Sequence, residues 1–148
     1  MDELDELAIT SIHEAGHAVI ALRLGLVFDH VTAEPDDYAD TEGALHWTDL
    51  QTVSGLEIPA DLDAVVLLAG PFAEAKLLQI SLDEVLADEA AGEDREALAT
   101  LGLTDAEFIA ASREALAMVE REWPAIERVA RELLDGPLSF EEVAELAN

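Results

Sequence analysis

Residues 4–24 read L-D-E-L-A-I-T-S-I-H-E-A-G-H-A-V-I-A-L-R-L, and they decide both the fold class and the chemistry to look for. Apolar residues at Leu4, Leu7, Ala8, Ile12, Ala15, Val19, Ile20 and Leu22 recur at close to helical spacing, which predicts an amphipathic helix over this stretch. Inside it stands H-E-A-G-H at His13–His17. On a helix, positions four apart share a face one turn apart, so His13 and His17 can reach a common point. Two neutral imidazoles so placed suit a Zn²⁺ ion, and Glu14 lies beside them, where a carboxylate can take a proton from an attacking water. The small residues Ala15, Gly16 and Ala18 allow another element to approach closely. Gly16 costs helix propensity of about 1 kcal/mol relative to alanine, which argues for close packing at that point.

Composition bounds what the rest of the chain can be. The protein has 148 residues, 51% of them hydrophobic, enough for one domain with a core that needs no covalent staples. It contains no cysteine, so any metal has to be held by His, Asp or Glu. The acidic start, Met1-Asp2-Glu3-Leu4-Asp5-Glu6, lacks the positive region of a secretory signal, and the longest apolar run, Ala64 to Ala73, is too short to span a bilayer. A cytoplasmic protein without a membrane anchor is expected. Seven basic residues against 34 acidic ones give a formal charge of −27, a field that repels nucleic acid and anionic membranes. The same field serves solubility in a salty or acidic proteome, mimicry of a nucleic-acid backbone, or selection of basic peptides.

Outward from the first helix, Gly25 marks a break, and Val27 to Pro35 reads as a strand with alternating β-branched residues. Gly43 to Thr48 reads as its antiparallel partner. Pro59 opens a second helix running to about Ile80, apolar around much of its circumference. Ser81–Glu84 is a capping-box pattern for a short helical turn, and a further helix is expected from about Glu93 to Leu101. Thr104 with Glu107 caps a long helix that Pro124 should kink or split near Trp123. Asp135-Gly136-Pro137 ends that segment, and Ser139–Glu142 caps a last short helix. The expected fold is mainly α, with a small antiparallel β-hairpin or sheet after the zinc-binding helix, in a single domain over residues 1–148.

A catalytic zinc takes a third protein ligand. By residue type His30 and His46 qualify, and the carboxylates are too many to separate by composition.

Several stretches resemble the peptidase domain of FtsH, a zinc-dependent, ATP-driven membrane protease family. His13–Ala18 (H-E-A-G-H-A) is similar to that family's zinc helix. Asp29–Pro35 (D-H-V-T-A-E-P) resembles its following strand, and Leu68–Glu74 (L-A-G-P-F-A-E) its L-x-G-G-R-x-A-E helix. Ile126–Leu134 and Leu138–Val143 resemble its closing segments. Ala90-Ala91-Gly92-Glu93-Asp94 occupies the place of the family's G-A-S-N-D, which implies Asp94 as third ligand, with Asp88 and Glu89 as alternatives and Glu74 as a weaker one. The chain departs from the family in having no G-x-x-x-x-G-K-[ST] and no membrane helix, so nothing in it couples ATP to unfolding, and ring assembly is not carried over. The resemblance implies a stand-alone, ATP-independent zinc metallopeptidase acting on peptides or loosely folded chains, with Glu14 as general base. The alternative is a catalytically silent zinc-binding or acidic regulatory protein that retains the fold.

Overall fold

The structure, a computed structural model, describes residues 3–33, 44–45, 51–52, 58–87 and 92–148, with side chains described at 7–33, 58–87 and 96–148. Its first helix, α1, spans Glu3–Arg23. It ends where Gly25 takes φ 80, a conformation that favours glycine, and the Gly25 N–H bonds back to the Leu22 carbonyl at 3.1 Å.

Two very short strands follow, β1 (Leu26–Val27) and β2 (His30–Thr32). By its alternating pattern, Val27 to Pro35 reads as one strand. The chain instead bends at Phe28 and Asp29, because the buried Phe28 ring packs edge-on against Phe140 at 5.2 Å and the Asp29 carbonyl accepts the Phe140 N–H at 3.3 Å. Strand β3 (Ala44–Leu45) pairs antiparallel with β2, Val31 opposite Leu45, as expected for the Gly43–Thr48 segment. Two further pairings had no signature in the pattern. Strand β4 (Gln51–Thr52) pairs with β1, and β5 (Leu138–Ser139) pairs with the other edge of β2. Among the described residues, the order β3-β2-β5 puts β3 at a sheet edge.

Helix α2 (Ala60–Leu78) starts after Pro59 and ends at Gln79, whose left-handed φ of 59 lets its N–H reach the Ala75 carbonyl. Residues 64–71 are all buried, as its apolar circumference predicted, because α2 packs on α1 and also on α5. Helices α3 (Leu82–Ala87) and α4 (Gly92–Thr100) are short; the Ser81 hydroxyl caps α3 by accepting the Glu84 N–H. Helix α5 (Asp105–Arg121) begins in a complete Thr104–Glu107 capping box. Glu122 separates it from α6 (Trp123–Leu133), with Pro124 in the first turn of α6, where its missing N–H is harmless. Helix α7 (Phe140–Ala147) begins in a second complete box, Ser139 with Glu142. The fold is thus mainly α with small antiparallel sheets, and α1 is central to it, packed on α2 and on α6.

At the α1–α2 crossing the backbones nearly touch. A Cβ on Gly16 would stand 2.8 Å from the Ala69 carbonyl oxygen and 2.9 Å from the Ala73 Cβ, closer than real side chains come. Glycine opposite two alanines is the sequence expression of that approach. It brings the histidine face of α1 directly onto the backbone of α2.

Candidate metal centre

His13, Glu14 and His17 each offer a ligand atom, and these atoms lie within 4.8 Å of one another, the one such group among the described residues that could hold a metal ion. The burial of the three differs sharply. His17 is 1% exposed, Glu14 5%, and the His13 side chain 15%, so the group opens to solvent on the His13 side. The two imidazoles meet edge to face, with centroids 4.8 Å apart and an interplanar angle of 76°. Glu14 Oε1 lies 3.9 Å from His17 Nε2.

Helix α2 holds both rings. His17 Nδ1 lies 2.7 Å from the backbone carbonyl oxygen of Val66, and His13 Nδ1 lies 2.9 Å from Glu74 Oε1. A carbonyl oxygen only accepts, and so does an ionised carboxylate, so Nδ1 is the donor in both rings. A neutral imidazole with hydrogen on Nδ1 carries its lone pair on Nε2, which is the form that binds metals. The donor set therefore could hold a metal ion. Two nitrogen ligands are oriented by outer acceptors before any ion is present, with a carboxylate next to them and no sulfur.

The remaining sequence candidates fall in different places. Asp94 is the third residue of α4, and its side chain lies outside the described residues, as do His46, Asp88 and Glu89. His30 is on β2, where its Nδ1 pairs with Asp29 Oδ2 at 2.7 Å, and it is not part of the metal group. The resemblance implies Glu74 as a weaker candidate ligand. It lies outside the metal group and orients His13 instead.

Two further contributors carry no signature in the sequence, Val66 and Gly70. With Glu74 they recur every fourth residue, so they line one face of α2. That periodicity was visible, but nothing local identified it as the face meeting the histidines. Among the described residues no helix is long and apolar enough to cross a membrane. No family model matches the chain, and no curated protein matches it.

Proposed function

We propose that this protein is a zinc-dependent metallopeptidase, ATP-independent and of the FtsH peptidase type, acting on peptides or loosely folded chains. The observation that carries the reading is the paired orientation of His13 and His17, each Nδ1 committed to an acceptor on α2, with Glu14 buried beside them. His13 and His17 would hold Zn²⁺, with Asp94 as the third ligand. Bound there, zinc supplies polarisation of the scissile carbonyl and a lowered pKa for water.

The chain's own residues do the rest. Glu14 takes the proton from the attacking water and passes it to the amine nitrogen as the C–N bond breaks, which returns its carboxylate to the starting state. Its burial keeps bulk water from competing for that proton. Strand β3 packs on α1 and, among the described residues, lies at the edge of its sheet, so an extended peptide can add to it as a further strand.

Native mass spectrometry with and without chelator, paired with digestion of casein and of a peptide library, tests metal and turnover separately. One bound zinc and chelator-sensitive cleavage are expected. Zinc binding with no cleavage of any peptide would sink the enzymatic reading in favour of a silent, acidic zinc-binding protein.

A further inference from the structure

Gly70 lies in the middle of α2, where glycine weakens a helix relative to alanine. Its backbone gives no reason for glycine, since among the described residues the glycines with positive φ are Gly25, Gly102 and Gly136. What requires it is the imidazole of His17. A Cβ built at position 70 would overlap His17 Nε2 and stand 2.6 Å from Cε1 and 2.8 Å from Cδ2. One turn earlier on the same face, the Val66 carbonyl accepts His17 Nδ1–H. The adjoining residue, Pro71, lies inside the helix and has no N–H to give, so this same turn forgoes one of its own hydrogen bonds.

We infer that Gly70 is a positioning residue for His17: its bare Cα is the seat of the imidazole, and with the Val66 carbonyl it locks the Nδ1–H tautomer in the metal-free protein. The ring is enclosed by the α2 backbone under its Nε2 side, the Val66 oxygen at Nδ1 and the edge-on His13 ring. The bonded tautomer leaves the ring lone pair on Nε2. The histidine helix alone does not set this geometry; α2 does, through a residue with no side chain. The inference rests on the reading of His17 as a metal ligand only for its consequence on zinc affinity. The seat itself is a property of the metal-free chain.

A double-mutant cycle in chelator tests the seat. Gly70→Ala is expected to lower the melting temperature by about 4–10 °C in the His17 background, the effect of overpacking a closed site. In the His17→Ala background the ring is gone, and the same substitution is expected to leave the melting temperature unchanged or raise it, because alanine favours the helix. Equal losses in both backgrounds would show that Gly70 serves backbone packing and would overturn the inference. Should Gly70→Ala fail to fold, recovery of a folded protein in the double variant supports it, and failure of both overturns it.

Long-range ¹H–¹⁵N correlation spectra of the metal-free wild type at pH 8 add an independent readout. The Nδ1–H pattern is expected for His17, and an Nε2–H pattern overturns the lock. Zinc affinity by competition titration should fall about 10–100-fold in Gly70→Ala, the range for losing an outer support of a ligand. Undiminished zinc affinity in that variant overturns the positioning role. A wild type that binds no zinc but obeys the cycle and shows the Nδ1–H pattern keeps the seat and removes the metalloenzyme reading instead.

Discussion

Where α1 crosses α2, contact is made by backbone: Gly16 lies against the Ala69 carbonyl and Gly70 against the ring of His17. Where α5, α6 and α7 meet one another and the first two helices, long side chains reach across. Arg23 donates to Glu122 at 2.8 Å and to the Ala147 carbonyl at 2.6 Å, while Arg128 donates to the Leu146 carbonyl at 2.7 Å. Lys76 lies 5.2 Å over the Trp123 ring and pairs with Glu120. The contrast extends to polarity. Among the described residues, the buried polar and charged ones are Ser11, Glu14, His17 and Thr32, all on α1 and β2. Burying such groups costs free energy unless they are paired, and glycines inside helices add to the cost. The chemistry is thus concentrated where the fold is least favourable, and the capped C-terminal helices offset it.

This division can be broken most severely at Glu14. Glu14→Gln should retain zinc and lose about 10²–10⁴-fold in peptide hydrolysis, measured as kcat/KM on a fluorogenic peptide. Full activity in that variant would end the assignment of Glu14 as base. Glu74→Ala comes next, with zinc binding about 10–100-fold weaker by competition titration, because His13 loses the acceptor that orients it. Unchanged affinity would mean that His13 is held by other contacts.

Stability variants sharpen the comparison at smaller magnitude. Gly16→Ala adds a methyl where no room exists and should cost about 1–3 kcal/mol in denaturant unfolding. Thr104→Ala and Ser139→Ala each break a capping box and should cost about 1 kcal/mol. Both cap variants should leave zinc affinity unchanged, and a loss there would erase the proposed division between the two regions.

Acid should act on the two regions with opposite signs, as the smallest effect. Burial raises the carboxyl of Asp63, on α2, above its ordinary value. A raised folded-state value means its contribution is fully present below the ordinary carboxylate range and is lost as pH rises through the raised value. The hydrogen bonds from the Thr104 backbone and side chain hold Glu107 below its ordinary value, so its contribution is present above the carboxylate range and is lost as pH falls through the lowered one. Melting temperature against pH should therefore show Asp63→Asn gaining on the wild type above the raised value. Glu107→Gln should lose its deficit in strong acid.

Legibility followed the range of the interactions. His13, Glu14 and His17 could be read because a four-residue spacing on a helix is local geometry. The Thr104 and Ser139 boxes, and the division of α5 from α6 near Pro124, are equally local. Glu74 acts on a histidine 61 residues away, and only the crossing of α1 over α2 makes them neighbours. The bend at Phe28 and Asp29 depends in the same way on Phe140, so the pattern of residues 27–35 alone reads as one strand. For the site, the two histidines and the carboxylate could be read, but the α2 surface that orients them could not.

The pairing of β2 with β5 joins His30 to Ser139, far apart in the sequence. Contacts of such high sequence separation slow folding, because the intervening chain has to be ordered before they form. During synthesis at about 5–20 residues per second, β2 waits roughly 5–20 s for its second neighbour to be made. Arg23 waits as long for the Ala147 carbonyl. The histidine helix is therefore made more than a hundred residues before the segments that secure it, so a nascent chain carries H-E-A-G-H well before that helix is held in place.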